Sequence, residues 1–515
     1  MATPSEKLAA SLTLFEELQK GGRRVFRSGE LTRVHRERLV RNGYLRVVMK
    51  GWLISSSPDV AAGDTTPWFA SFWEFCASYC RARFGQDWHL SPEQSLLLHA
   101  ENTVIPPQLI VYTPKGTNNA IGLPFGTSLY DLRQRVMPPP ADLTERDGLN
   151  LIAPEAALVK VPEVCFVRNP VDAQVVLAGI PDASNLLRRL LDGGHSVIAG
   201  RLASAFRRIG RGDVADEIIT VMKRAGHDVR ESDPFEPAQT FRALPRTRTP
   251  IIDRLHSLWE SMRAPVVAAF PTAPGLPKDT DAYLSSVDEM YRSDAYHSLS
   301  IEGYRVTPEL IERVRTGDWD PDNRDDDRRS RDALAARGYW QTFQLVRETV
   351  RAVIAGDNPA VLVRAAHQDW YRELFQPSVA AGLIPASALA GYRNGPVYLR
   401  GSRHVPPRWE AVRDAMPTFF DLLEGEAEPS VKAVLGHWLL GYIHPWADGN
   451  GRMARFVMNV LLASGGYPWT VIRVDDRDAY LASLERASIH HDMEPFARFL
   501  AERVALALEL AGVNS

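Results

Sequence analysis

His444-Pro445-Trp446-Ala447-Asp448-Gly449-Asn450-Gly451-Arg452-Met453-Ala454-Arg455 decides how the C-terminal half of this 515-residue chain is read. The stretch sets one imidazole, one carboxylate, a Gly-Asn-Gly turn and two guanidiniums within twelve positions. Upstream, Val431, Val434, Leu435, Trp438, Leu439 and Tyr442 keep helical spacing as far as Ile443, with Ser430 placed to cap that helix. Pro445 and the glycines stop it, so His444 is expected at its C-terminal end, presented by a loop. A second helix is expected from near Gly451, where Met453, Phe456, Val457, Val460 and Leu461 recur at helical intervals and leave Arg452, Arg455 and Asn459 on the other face.

These residue types suit one kind of chemistry. Gly449, Asn450 and Gly451 lie at a helix N-terminus, where free N–H groups and the helix dipole favour phosphate and glycines permit close backbone approach. Arg452 and Arg455, three apart, reach phosphate oxygens with charge-assisted bonds. Asp448 is the only carboxylate in the loop and is placed to bind the Mg2+ that a triphosphate brings. His444, expected to titrate near neutrality, takes a proton from an attacking hydroxyl. Together they describe nucleotidyl or phosphoryl transfer.

In this order the residues resemble the signature of the Fic-domain family, His-Pro-Phe-x-(Asp/Glu)-Gly-Asn-Gly-Arg-x-x-Arg, with Trp446 for Phe as the one departure. The resemblance extends over about 240–515 and implies a mainly α-helical Fic domain that transfers AMP from ATP to a Ser, Thr or Tyr hydroxyl of a target protein. It implies ATP as substrate, Mg2+ on Asp448, His444 as base, phosphates on Asn450, the loop amides and Arg452, and the γ-phosphate on Arg455. Val397-Tyr-Leu-Arg-Gly-Ser-Arg-His-Val-Pro-Pro407 resembles the family's flap, a β-hairpin whose Val397, Tyr398, Leu399 and Arg400 would align a target segment by strand addition. Ser298-Leu-Ser-Ile-Glu302-Gly303 matches the family's inhibitory motif, with Ser298 and Glu302 one turn apart and Gly303 ending the helix. The resemblance implies that Glu302 pairs with Arg455 and denies ATP its anchor. Two alternatives stay open: hydrolytic removal of AMP with Glu302 positioning water, and a DNA-binding regulator of a toxin–antitoxin-like system whose Fic fold senses nucleotide.

The N-terminal part reads differently. Leu8–Lys20 is amphipathic and Gly21-Gly22 ends it, Thr32 is placed to cap a basic helix through Val40, and Tyr44–Val48 and Trp52–Ser55 flank a tight turn. That order resembles a winged helix-turn-helix over residues 1–60. Ten basic residues lie between Lys20 and Lys50 against Glu30 and Glu37, and among them Arg33, Arg36, Arg41, Arg46 and Lys50 are candidate DNA contacts. A solvated basic face on a docking module is the competing reading. Residues 61–235 are read as a small α/β domain with strand-like pieces at Gln108–Thr113 and Lys160-Val161 and a helical run from Ala183 through Lys223. With the first segment they resemble AbiEi-type antitoxin proteins. A Pro-punctuated linker is expected over 236–250 and the Fic domain over 251–515.

The whole is therefore expected to be a multidomain α+β protein. Net charge is only −3, so global electrostatics select no partner. No run approaches the ~20 apolar residues of a membrane span, and Met1–Leu8 lacks a signal-peptide pattern, so no membrane partner and a cytoplasmic location are expected. Cys76 and Cys80 share a helical face without further ligands at metal spacing and read as buried thiols. Thr113-Pro-Lys-Gly-Thr-Asn-Asn lacks the spacing of a phosphate loop and reads as a surface turn, and Asp318–Arg331 reads as an exposed mixed-charge loop and helix start.

Overall fold

The computed structural model describes residues 3–60, 63–235, 249–317 and 330–512. The described chain is mainly helical with three small sheets, and it divides into two compact units. The first holds Met1–Arg254 together with Tyr398–Val405, and the second holds Leu255–Val397 and Pro406–Ser515. Most of the expected linker, 236–248, and most of the mixed-charge run, 318–329, lie outside the described residues.

In the first unit the Pro4–Leu18 helix opens on a capping box between Thr3 and Glu6. The Arg33–Arg41 helix follows, with Thr32 in the N-cap position but making no side-chain cap bond. Leu45–Met49 and Trp52–Ser55 pair antiparallel, turning at Gly51, whose φ of +88° suits glycine. A third strand, Val25–Arg27, completes a sheet in the order Val25–Arg27, Trp52–Ser55, Leu45–Met49. One apolar cluster gathers Phe15, Phe26, Leu31, Leu39, Leu45 and Leu53. Val25, Trp52 and Ile54 instead join Trp68, Phe72, Phe75, Cys76 and Cys80 of the Thr66–Phe84 helix. The first sixty residues and those that follow therefore share a core, and both thiols are buried and free, with burial pushing their pKa up.

Beyond that helix a four-stranded sheet runs in the order His89–Leu90, Gln108–Thr113, Ser128–Arg133, Asn119–Gly122, its central pair parallel. Lys160-Val161 is not a strand. Lys160 closes the Pro154–Lys160 helix, where Pro at the first turn, an early Glu155 and Ala-Ala-Leu outweigh the β preference of the two valines. The helical run from Ala183 resolves into Ser184–Asp192, Ser196–Arg208 and Gly212–Arg224.

The strands assigned among the described residues all belong to the first unit. The second is built from helices, among them Thr280–Ile301, Arg331–Ile354, Pro359–Ala380, Val412–Gly425, Pro429–Ile443 and Asn450–Ala463. The last two are buried almost all round, and the second encloses Arg452, Arg455 and Asn459 along with its apolar face. Pro429 occupies the first helical turn, so Glu428 takes the N-cap position and Ser430 lies inside the helix rather than capping it. The expected flap hairpin is absent: no strand is assigned between 391 and 411. Its backbone is satisfied elsewhere, as the Ile105 N–H donates to the Arg403 carbonyl at 3.0 Å and the Thr103 hydroxyl donates to the Val405 carbonyl at 2.6 Å. No helix among the described residues is long and apolar enough to cross a membrane.

Candidate active site

Two helix ends and a third helix frame the site, all within the second unit. Pro429–Ile443 terminates at His444, which adopts a left-handed φ of 53° and ψ of 61° and so swings the chain sharply out of the helix. A non-glycine residue in that region costs on the order of 1 kcal/mol, held only by its surroundings. Pro445 cannot continue the helix, and Trp446 turns inward, fully buried and stacked on Tyr371 with ring centroids 4.9 Å apart. The Asn450 amide closes the loop: Oδ1 accepts from the Trp446 N–H at 3.0 Å, and Nδ2 donates to the Trp446 carbonyl at 2.9 Å. Both ends of that side chain thus brace the loop. Gly449, at φ +77°, precedes the Asn450–Ala463 helix, and a Cβ there would lie 2.7 Å from the Phe375 ring.

The three functional groups expected of the loop sit in different environments. The Nδ1 of His444 lies 3.2 Å from the Gly441 carbonyl, which can only accept, so this nitrogen carries the proton and Nε2 is left as the acceptor. Enclosure of the ring pushes its pKa down to about 4, with Arg393 adding to the shift and the Gly441 bond, Asp448 and Glu302 opposing it. The imidazole is neutral at physiological pH and does not titrate near 7 as its sequence context suggested. Asp448 is exposed, one oxygen accepting the Gly449 N–H at 2.7 Å. No group of three or more His, Cys, Asp or Glu side chains among the described residues is arranged to hold a metal alone. One exposed carboxylate beside a helix N-terminus fits Mg2+ that arrives on a polyphosphate and draws most of its oxygens from it.

Arg452 and Arg455 are both buried, and between them lies a carboxylate from the Thr280–Ile301 helix. Oε1 of Glu302 accepts from Arg455 Nη2 at 2.7 Å, and Oε2 lies 2.7 Å from Arg452 Nε. A Cβ on Gly451 would lie only 2.7 Å from the same Oε1, so glycine leaves room for the carboxylate against the first turn of the Asn450–Ala463 helix. Burial works against the charge on both arginines and is the largest single influence, but the Glu302 charge and hydrogen bond together with Tyr304 and Asp448 at Arg452, and with Tyr480 and Tyr339 at Arg455, outweigh it and raise both pKa values. Ser298, one turn earlier, accepts from Arg455 Nε through its hydroxyl at 2.7 Å and from Nη2 through its carbonyl at 3.0 Å. Gly303, at φ +87°, ends the helix and turns the chain so that the Tyr304 ring lies 5.2 Å from the Arg452 guanidinium. The Phe375 ring lies 5.0 Å from the same guanidinium.

Two residues at this site carried little readable signal in the sequence. Arg393, buried, donates Nε to the His444 carbonyl at 2.8 Å and Nη2 to the carbonyls of Ile443 and Pro407, while its backbone N–H reaches the Pro445 carbonyl at 2.9 Å. Asp294, a further turn back from Ser298, accepts from the Tyr339 hydroxyl at 2.6 Å. Its spacing of four from Ser298 is the one hint that it shares the face of Ser298 and Glu302.

Other candidates fall elsewhere. Of the flap residues, Val397 belongs to the second unit, and Tyr398, Leu399 and Arg400 belong to the first. There the Tyr398 ring lies 4.9 Å from the Arg24 guanidinium, and Arg400 Nε lies 3.1 Å from Asp64 Oδ2. Among the basic residues of the N-terminal segment, Arg36 donates to the Ser28 carbonyl and Arg46 to those of Val60 and Asp64, while Arg33 pairs with Glu37 on the surface. Arg41 and Lys50 are exposed.

Comparison with known proteins converges on the same segment. Residues 360–462 match the Fic/DOC family model. The chain is 44% identical over 114 residues to the protein adenylyltransferase Fic of Nematostella vectensis, covering 21% of this chain and 26% of that one. It is 38% identical over 123 residues to the protein adenylyltransferase Fic of Drosophila willistoni, covering 23% and 24%. This chain thus spans about a quarter of the length of the curated relatives it matches. Among solved structures, a Fic-domain-containing signaling protein from Bacteroides thetaiotaomicron is 19% identical, covering 51% of this chain and 95% of that one with a TM-score of 0.36. Fic-1 from C. elegans, residues 134–508, is 16% identical, covering 70% and 91% with a TM-score of 0.38. The chain carries a Fic domain.

Proposed function

We propose that this chain is a protein adenylyltransferase held inactive by its own Glu302. The observation that carries the reading is a single carboxylate bridging Arg452 and Arg455 beside Gly451 at a helix N-terminus, the place where anionic phosphate oxygens would be received. The adenylyltransferase names of the relatives support the reaction class.

In the released state the target hydroxyl attacks the α-phosphorus of ATP. His444 Nε2 takes the hydroxyl proton, the O–P bond forms, the bond from the α-phosphorus to the bridging oxygen breaks, and pyrophosphate leaves. The first-turn amides and the two arginines hold the departing phosphates in line, and Asp448 would hold the Mg2+, which neutralises phosphate charge when bound. With Glu302 in place the γ-phosphate meets a carboxylate instead of Arg455, and a displacement of about 1 Å costs on the order of 100-fold in rate.

Incubation with labelled ATP and Mg2+ tests this. Weak labelling of the protein or of a lysate target is expected from the wild type, strong labelling from Glu302→Gly, and none from Glu302→Gly combined with His444→Ala. A silent Glu302→Gly variant ends the transferase reading. Loss of AMP removal from a modified protein in that variant would assign hydrolysis instead.

A further inference from the structure

We propose that Arg393 is a positioning residue for the reaction, fixing the orientation of His444 by holding the three consecutive carbonyls that surround it. The inference rests on the adenylyl-transfer reading and assigns that site a residue outside its motif. A helix ends with carbonyls that have no partner within it. At the end of Pro429–Ile443, Arg393 supplies the missing donors: Nη2 to Ile443 O at 3.4 Å, Nε to His444 O at 2.8 Å, and the backbone N–H to Pro445 O at 2.9 Å. These carbonyls define the peptide planes on both sides of the His444 Cα. They therefore fix the left-handed backbone on which the direction of the ring depends.

The remaining donors reach the segment from which Arg393 itself comes. Nη1 donates to the Gly395 carbonyl at 3.0 Å and Nη2 to that of Pro407. One guanidinium thus ties the catalytic loop to the two places where the segment expected to dock a target leaves and re-enters the second unit. Arg393 is only 6% exposed, so loss of one of these bonds leaves a buried group unsatisfied rather than exchanged for water. Arginine is required because a planar fork serves several carbonyls at once, and a lysine ammonium on the same stem cannot.

The test uses the full chain in the Glu302→Gly background, comparing Arg393→Lys and Arg393→Met with the parent for ATP-analogue affinity, KM for ATP, kcat for label transfer, and melting temperature. Expected are a kcat lower by on the order of 100-fold, ATP affinity and KM within about twofold, and no rescue by Lys. Unchanged kcat overturns the proposal. So does a parallel fall of affinity, kcat and melting temperature, which would make Arg393 a folding residue. If Arg393→Met does not fold, Arg393→Lys, which keeps stem and charge, carries the test. A silent parent refutes the transferase reading separately. The His444 ring signals then decide on Arg393: loss of the Nδ1–H resonance in Arg393→Lys supports it and retention overturns it.

Discussion

Glu302 combines charge and shape at one point, and the two are separable. Gln keeps the shape and a hydrogen bond to Arg455 but removes the ion pairs to both guanidiniums, whereas Gly removes everything. Tenfold repression corresponds to about 1.4 kcal/mol of preference for the closed state. Label transfer is therefore expected to rise in the order wild type, Glu302→Gln, Glu302→Gly, with Gln intermediate. Equal activity of Gln and wild type would show that the charge does not hold the arginines. His444 makes a second prediction at this scale. Its pKa is lowered to about 4, and only the neutral ring accepts a proton, so the active form is present above that value and lost below it. Transfer by Glu302→Gly is expected to be flat from about pH 8 down to about pH 5.5, and an acid limb near the ordinary histidine value of about 6.5 would contradict the enclosure of the ring.

At the scale of elements, the Thr280–Ile301 helix presents Asp294, Ser298 and, at its C-cap, Glu302 toward one guanidinium neighbourhood. Ser298→Ala leaves the buried Arg455 Nε without its hydroxyl acceptor, a loss of about 1–3 kcal/mol from the closed state. It is expected to raise basal labelling by roughly five- to 150-fold while leaving Glu302→Gly activity in place. Asp294 is pushed up to about 6 by burial, so its ionisation costs stability above that pH, and the cost vanishes as pH falls toward the ordinary carboxylate range. Asp294→Asn should therefore improve thermal stability more at about pH 8 than at about pH 5, by roughly 1 kcal/mol. Any fixed effect of the amide cancels between the two measurements, and an equal shift at both pH values would refute the assignment. What the sequence disclosed at this scale follows from how local each signal is. Gly449, the helix after it and Gly303 were legible because turn and cap chemistry lies within a few residues. Arg393 was not, because its partners are backbone carbonyls, which leave no trace in residue type. The Val25–Arg27 strand is too short for its alternation to show, and the flap hairpin was misread because the partner of its backbone lies some three hundred residues away, at 103–105.

At the scale of the whole molecule the chain does not follow its sequence order. It leaves the second unit after Val397, contributes Tyr398–Val405 to the first, and returns at Pro406. Those eight residues are anchored there by several small contacts rather than one large one. Arg24 faces the Tyr398 ring, Asp64 pairs with Arg400, Arg403 Nε donates to the Ile105 carbonyl at 2.8 Å, and Val405 packs against the apolar cluster of the Thr66–Phe84 helix. The carbonyls of Arg403 and Val405 already accept from Ile105 and Thr103, so a strand-adding target would have to displace those donors at these two positions. Thr103→Val combined with Asp64→Ala removes a part-buried hydrogen bond, the ion pair with Arg400 and the bond that Asp64 accepts from the Thr66 N–H at 2.9 Å, without altering the segment itself. Each lost hydrogen bond contributes on the order of 1 kcal/mol and the pair with the exposed Arg400 less. If the segment opens locally, the Ile105 amide, whose acceptor is the Arg403 carbonyl, is expected to exchange with solvent roughly five- to tenfold faster in the variant, while amides in the Asn450–Ala463 helix keep their rates. Uniformly faster exchange would mean that these contacts support the first unit as a whole. An unchanged Ile105 amide would mean that the contacts left in place, those of Arg24, Arg403 and Val405, suffice to hold Tyr398–Val405.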